Sequence, residues 1–151
     1  MKLISHRGNL TGKDPNTENS PDKIDFCIFK GFDVEIDLWV IKDKIYLGHD
    51  YPQYEIDKKY LDERQDSIWI HCKNETCLFY FNRSNYNYFW HETDSYTLTS
   101  KGIGWVYPGK IPYPNSVIVM PEDTDLYEQY IDQVYGICTD KVIYYKDFYG
   151  K

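Results

Sequence analysis

Short apolar runs separated by polar turns make up most of the chain, and this pattern predicts a protein built mainly on strands. Eight runs have the length and the content of β-branched and aromatic residues that favour strands. They are Leu3–His6, Asp33–Val40, Lys44–Gly48, Ile68–Lys73, Tyr86–His91, Ile103–Tyr107, Ser116–Met120 and Tyr135–Thr139.

Three segments carry a helical pattern instead. The first has Ser20 as its N-cap and Pro21 at the first helical position, and Gly31 ends it. The second spans Glu75–Phe81, and Lys58–Arg64 could add one or two further turns. The third is predicted from four apolar residues at helical spacing, Leu126, Tyr130, Ile131 and Val134.

Strands that alternate with helices predict an α/β fold around a parallel sheet. Eight strands would suit a TIM-type (β/α) barrel, although such barrels typically need ~250 residues. This chain has 151, and segments such as Pro108–Pro114 resemble loops where a helix would normally lie. The expected fold is therefore a compact, helix-poor TIM-type (β/α) barrel that forms a single domain over residues 1–151.

Composition and charge exclude several classes of protein. Apolar residues make up 42% of the chain, which is too many for a disordered protein. The formal charge of −7 does not suit a partner with a phosphate backbone, so no nucleic acid is expected. No apolar run approaches the ~18 residues of a transmembrane segment.

The N-terminus and the cysteines indicate a cytoplasmic location. Residues 1–8 contain no apolar secretory stretch. The four cysteines show neither a CxxC pair nor the spacing of zinc ligands. Reduced, buried thiols are therefore expected at Cys27, Cys72, Cys77 and Cys138.

The run Asp33–Val40 is the most informative segment for chemistry. Alternate side chains of a strand share a face, so Glu35 and Asp37 point to one side, ~7 Å apart, while the apolar residues point to the other. Two carboxylates that face the inside of a barrel repel each other unless a cation neutralises them, and oxygen ligands suit Mg²⁺ or Ca²⁺. An edge strand with a solvated acidic face explains this segment equally well.

The run Ile68–Lys73 favours a binding site over a solvated edge strand. Its alternation places Trp69, His71 and Lys73 on one face and apolar residues on the other. Two carboxylates, an imidazole and an ammonium group together suit a site that binds a metal ion and an anion, phosphate above all.

Four motifs occur in a characteristic order along the first third of the chain. They are His6-Arg7-Gly8, Glu18-Asn19-Ser20, residues 31–38 with the Glu-x-Asp pattern, and Gly48-His49-Asp50. In this order they resemble the glycerophosphodiester phosphodiesterase family, which belongs to the phospholipase-C-like phosphodiesterases with TIM-barrel folds. The resemblance covers about half of the chain: it is strong over residues 3–50, supported at residues 70–73, and faint at the Thr-Asp ending of residues 136–140.

The resemblance implies roles for five residues around a phosphate. His6 and His49 match the family's paired general acid and base. Arg7 and Lys73 match residues that face the phosphoryl oxygens and take part in catalysis. Glu18 matches the acidic residue of the family's Glu-Asn-Thr turn and, with Arg7 and Lys73, is expected at the substrate.

The resemblance also implies a metal site. Glu35 and Asp37 match the family's metal-binding Glu-x-Asp motif, and His71 stands where the family usually has a glutamate ligand. An imidazole can complete the ligand set, but it brings no negative charge and favours softer ions. The expected cofactor is Mg²⁺ or Ca²⁺, with Mn²⁺ as the alternative.

Two functions remain open at this point. The first is a metal-dependent phosphodiesterase of lipid metabolism that hydrolyses a glycerophosphodiester or a related small alcohol phosphodiester by His/His acid–base catalysis. The second is a non-catalytic phosphate- or polyol-binding domain on a shortened barrel, which the short chain and His71 favour. Retention of both His6 and His49 favours the enzyme, since a binder needs no acid–base pair. The expected partner is a small phosphodiester, and self-association into a homo-oligomer is left open.

Overall fold

The computed structural model describes residues 1–149. Its strands are β1 (Lys2–His6), β2 (Asp33–Ile41), β3 (Lys44–Leu47), β4 (Tyr54–Ile56), β5 (Ile68–Cys72), β6 (Asn87–Phe89), β7 (Tyr96–Leu98), β8 (Gly104–Val106), β9 (Ser116–Val119) and β10 (Gly136–Thr139). Its helices are α1 (Pro21–Phe29), α2 (Lys58–Asp62), α3 (Glu75–Phe81) and α4 (Val142–Tyr149).

The strands form one curled, mixed sheet with the shape of a half-barrel. Its parallel part has the order β6-β5-β2-β1-β10-β9-β8. The hairpin of β3 and β4 extends the second half of β2 in antiparallel fashion, and β7 pairs antiparallel with β8. The α/β class is therefore present, but the sheet is not uniformly parallel.

The predicted TIM-type barrel is wrong, because the sheet does not close and helices do not alternate with its strands. Over residues 1–149 no ladder joins β6 to β8, since β9 and β7 occupy the two edges of β8. The connections that follow β6, β8 and β9 are loops and short 3-10 turns. Between β8 and β9 the three prolines Pro108, Pro112 and Pro114 remove backbone donors that a helix would need.

The third predicted helix is also wrong. In its place the chain forms three 3-10 turns, Pro121–Asp123, Asp125–Tyr127 and Ile131–Gln133. Thr124 has an extended backbone (φ −160°, ψ 141°), and its side chain accepts from the amide of Leu126, which competes with helical hydrogen bonding. Tyr127 is buried there, and its hydroxyl accepts from the Gly109 amide at 2.7 Å. The sequence pattern predicted neither α4 nor the short strands β4 and β7.

Apolar side chains fill both sides of the sheet. The apolar side chains of β2, such as Ile36, lie on the convex side of the sheet and pack against α1, α2 and α3. On the concave side Ile4, Trp69, Phe89 and Trp105 pack together, with ring centroids 4.5 Å apart between Phe89 and Trp105. The alternation of β2 then places Glu35 and Asp37 on the concave side, above this apolar floor.

The structure also bears on the cysteines and on membrane insertion. All four cysteines are buried free thiols, as the sequence predicted. In the part of the chain that the structure describes, no helix is long and apolar enough to cross a membrane.

Candidate functional site

Most of the predicted site residues line one cavity of about 390 Å³, which lies at the carboxyl ends of β1, β2 and β5. Its lining includes six of them, His6, Arg7, Glu35, His49, His71 and Lys73. Strand register explains the grouping, since His6 of β1 lies opposite Glu35 of β2, and Asp37 lies opposite His71 of β5. Asp37 lies directly behind the lining, completely buried.

Glu35, Asp37 and His71 form the one cluster with metal-ligand geometry among residues 1–149, and one ligand atom of each lies within 4.8 Å of the others. His71 Nδ1 is 3.2 Å from Asp37 Oδ1 and 3.5 Å from Glu35 Oε1. His71 Nε2 contacts the carbonyl oxygen of His91 at 2.7 Å. Because a carbonyl only accepts, Nε2 carries a proton, and Nδ1 faces the two carboxylates.

A buried oxygen of this cluster fits a bound cation. Glu35 Oε2 is buried without a hydrogen-bond partner in the described chain, whereas the equally buried Asp37 Oδ1 lies 3.2 Å from His71 Nδ1. Buried polar atoms without a partner are rare and call for an explanation such as an ion. Two carboxylates and an imidazole could hold a divalent metal ion once His71 Nδ1 has lost its proton.

Asp37 is also neutralised by the protein itself. Its Oδ2 lies 2.9 Å from Arg7 Nε and accepts from Asn19 Nδ2 at 2.9 Å, while Lys73 Nζ lies 3.7 Å from Oδ1. Burial would raise the pKa of Asp37, but the hydrogen bond from His71 and the charges of Arg7 and Lys73 hold that pKa well below its usual range. Asp37 is therefore ionised with or without a metal ion.

His6 is oriented by a carboxylate that sequence reasoning did not assign. His6 Nδ1 lies 2.8 Å from Asp140 Oδ1, and Asn9 Nδ2 donates to the same oxygen at 2.8 Å. Burial lowers the pKa of His6, but the hydrogen bond to Asp140 and the charge of Glu35 outweigh it and raise the pKa above its ordinary value. With Nδ1 held by Asp140, His6 Nε2 points toward the cluster, 4.0 Å from Glu35 Oε2. Asp140 thus fixes which nitrogen of His6 can exchange a proton.

Glu18 lies beside the main cavity. It accepts from Arg7 Nη1 at 3.3 Å and from Asn9 Nδ2 at 2.9 Å, which holds the guanidinium in place. Glu18 does not line the 390 Å³ cavity but lines a neighbouring cavity of about 340 Å³, together with Arg7 and His49. The structure therefore places Glu18 where it positions Arg7.

His49 follows β3 on a turn that requires glycine. Gly48 has φ +149°, and a Cβ there would lie 2.1 Å from the carbonyl oxygen of Tyr51. The His49 side chain is 38% exposed, and its Nδ1 lies 2.7 Å from Asp50 Oδ1. His49 therefore lies at the rim, where it could exchange a proton with a ligand, whereas the His6 side chain is only 15% exposed.

His91 was not predicted as a site residue, although its position at the end of a strand could have indicated it. It follows β6 just as His6 ends β1, and it lines the main cavity. Its Nδ1 is buried without a hydrogen-bond partner in the described residues, and its ring lies 5.6 Å from that of Tyr107. Burial and the charge of His71 lower the pKa of His91, so the ring is neutral at pH 7.

The metal-free protein is expected to lose stability as the pH rises past neutrality. Burial lowers the pKa of His71, but its hydrogen bonds to Asp37 and Glu35 raise it to about 9, from an ordinary 6.5. A raised folded-state pKa contributes stability in full below pH ~6.5, and that contribution is lost as the pH rises through ~9. The loss amounts to at most about 3–4 kcal/mol, the free-energy equivalent of that pKa difference.

Thermal unfolding in chelator from pH 6 to pH 10 measures this effect. The difference in Tm between the unsubstituted protein and His71→Gln should shrink steadily over that range, because the glutamine variant lacks the titrating group. A difference that stays constant with pH would contradict the ion pairing of His71.

Comparison of the chain with protein-family models, curated proteins and solved structures finds no match. What the chain does is therefore inferred from its motifs and from the geometry of this site. Around one cavity the site brings together the imidazoles of His6 and His49 and the cations of Arg7 and Lys73. They lie beside the carboxylate–imidazole cluster described above.

Proposed function

We propose that the protein is a metal-dependent phosphodiesterase that hydrolyses a glycerophosphodiester or a related small alcohol phosphodiester. The observation that carries the proposal is that His6, His49, Arg7 and Lys73 line the same cavity as the cluster of candidate metal ligands. Acid–base groups, phosphate-binding cations and metal ligands are the parts that this reaction needs, and residues far apart in the sequence supply them at one place.

Glu35, Asp37 and His71 would hold the metal ion. When bound, a divalent ion polarises a non-bridging phosphoryl oxygen and stabilises the negative charge of the transition state. His71 Nδ1 must lose its proton to become a ligand, whereas Asp37 is already ionised. The buried Glu35 Oε2, which has no hydrogen-bond partner in the described chain, supports this assignment.

Arg7 and Lys73 would bind the phosphate. Arg7 Nε lies 2.9 Å from Asp37 Oδ2 and Nη1 lies 3.3 Å from Glu18 Oε2, which would leave Nη2 to donate to a phosphoryl oxygen. Lys73 Nζ lies 3.7 Å from Asp37 Oδ1 and also lines the cavity. Because carboxylates hold both cations before the substrate arrives, their charge-assisted hydrogen bonds to the phosphate need little reorganisation.

His6 and His49 would move the protons. One takes a proton from the attacking water or neighbouring substrate hydroxyl, and the other gives a proton to the leaving alkoxide. Each positioned transfer of this kind typically contributes ~10²–10⁴-fold to the rate. The Asp140 hydrogen bond leaves His6 Nε2 as the atom that takes part.

A specific observation supports a second candidate, a non-catalytic phosphate- or polyol-binding domain. Arg7, Lys73 and His71 already surround Asp37, so the interior charge is balanced without a metal ion. A site of this kind would bind phosphate through Arg7 and Lys73 and would not depend on divalent ions.

Hydrolysis of a small panel separates the two candidates. Glycerophosphocholine, glycerophosphoethanolamine and bis(glycero)phosphate are incubated with the protein in chelator and then in Mg²⁺, Ca²⁺ or Mn²⁺. We expect release of free alcohol that chelator abolishes and at least one of the ions restores. Lys59→Ala, whose side chain is 80% exposed, serves as the preparation control. Binding of a diester without turnover in any ion would overturn the enzyme in favour of the binding domain.

A further inference from the structure

We propose that the site holds the two alcohol groups of its diester in two separate subsites, an apolar one for an alkyl or aryl alcohol and a polar one for a polyol. The inference rests on the proposed function insofar as the ligand is a phosphodiester. It adds which side of the phosphate each alcohol occupies and what chemistry each alcohol has.

Two cavities meet at the phosphate-binding residues. The main cavity of about 390 Å³ and its neighbour of about 340 Å³ share two lining residues, Arg7 and His49. A phosphate bound by Arg7 would therefore stand at the junction, and a tetrahedral phosphorus directs its two ester oxygens apart. Each cavity is near the lower end of the ~300–1,000 Å³ range of ligand pockets, which suits one small alcohol in each.

The main cavity has apolar as well as charged lining residues. Trp105, Tyr107, Val119 and Met120 contribute to it at the ends of β8 and β9. Trp105 is 3% exposed and packs against Phe89, so this wall is firmly supported. A polyol here would lose hydrogen bonds to water without replacement, whereas an aryl or alkyl group gains from burial.

The neighbouring cavity has a polar lining. Lys13, Gln53 and the hydroxyl of Tyr51 supply donors and acceptors around it, and Gln53 Nε2 donates to that hydroxyl at 3.3 Å. Over residues 1–149 Lys13 forms no ion pair, so its ammonium group is available to a ligand hydroxyl. The glycine turn at Gly48 holds this wall in place, because a Cβ there would meet the backbone of both Tyr51 and Gln53.

Three synthetic diesters test the assignment. Glyceryl benzyl phosphate carries both preferred groups. Glyceryl methyl phosphate lacks the apolar group, and methanol and benzyl alcohol are similar leaving groups. Benzyl 2-hydroxypropyl phosphate keeps the neighbouring hydroxyl of glycerol but lacks the terminal one. In Mg²⁺ we expect kcat/KM for the first to exceed the second by at least ~10-fold and the third by about fivefold.

Substitutions in each subsite should change one ratio and leave the other. Tyr107→Ala should reduce the benzyl-over-methyl preference to about twofold or less, and Gln53→Ala should do the same to the glyceryl-over-hydroxypropyl preference. Tyr144→Ala and Gln129→Ala are the matched controls, because neither residue lines either cavity. Two results would overturn the proposal of two subsites. One is a preference near one for both pairs of diesters in the unsubstituted protein, and the other is a variant pair in which both substitutions change both preferences alike.

The two proposals fail in different ways. If no diester is hydrolysed, the proposed catalysis fails, and calorimetric binding of the same three diesters to the unsubstituted protein tests the subsites directly. Tighter binding of glyceryl benzyl phosphate than of either analogue, by the same factors, would sustain the subsites without the chemistry. Equal binding of all three, or no binding, would overturn them.

Discussion

Replacing His6 by alanine is expected to lower kcat by ~10²–10⁴-fold on any diester that the unsubstituted protein hydrolyses. The variant loses the imidazole whose Nε2 faces the cluster of Glu35, Asp37 and His71, and with it one of the two proton transfers. The fold should survive, since Asp140 keeps its hydrogen bond from Asn9 when His6 is removed. A similar loss of turnover is expected for His49→Ala, because the proposed mechanism divides the two proton transfers between His6 and His49.

Asp140→Asn provides the graded control for this prediction. Asp140 positions His6 and does not line the main cavity, so the variant should lower kcat by about tenfold while KM stays nearly unchanged. Thermal unfolding of all three variants checks that they remain folded. Near-normal turnover in both histidine variants, with the fold intact, would exclude the acid–base pair.

The local chemistry of the site could be predicted from the sequence because it follows from the alternation of strands. In β2 and β5 the side-chain period of two is enough to place Glu35, Asp37 and His71 on the polar faces of their strands. Parallel register then brings His71 level with Asp37, since both strands enter the sheet in the same direction. Eight of the ten strands overlap predicted runs for the same reason.

The closure of the sheet could not be predicted, because it depends on which edges pair. The segment of β7, Tyr96–Leu98, is only three residues long and carries no distinctive pattern, yet it occupies the edge of β8 that a closed barrel would give to β6. Asp140 shows the same limit for the site, since it lies 134 positions from His6 and only the fold brings their side chains together. The alternation of side chains in a strand identifies which residues share a face, but it does not identify which other strand or side chain lies beside them.

Glu35→Gln is expected to weaken the binding of Mg²⁺, Ca²⁺ and Mn²⁺ alike, by at least ~10-fold in calorimetric titration. This variant tests the metal site more cleanly than Asp37→Asn, because Asp37 also neutralises Arg7 and Lys73, and its loss would disturb these two residues proposed to bind phosphate. Glu35 also contacts His71 through Oε1 and raises the pKa of His6, so thermal unfolding in chelator accompanies the titration and separates loss of these contacts from loss of the ion. Glu55→Gln, at an exposed ion pair with Lys44, is the matched control and should bind metal as the unsubstituted protein does.

His71→Glu should act in the opposite direction and shift two measurements at once. A third carboxylate beside Glu35 and Asp37 increases repulsion in the metal-free protein, so Tm in chelator should fall. The added negative charge and oxygen ligand should strengthen Mg²⁺ binding, so the rise in Tm on adding Mg²⁺ should exceed that of the unsubstituted protein. At ~100 times the dissociation constant the rise corresponds to about 3 kcal/mol, or ~5–10 °C for a chain of this size. If neither the unsubstituted protein nor His71→Glu responds to any of the three ions, Glu35, Asp37 and His71 form a structural ion-pair cluster and the metal-dependent mechanism is excluded.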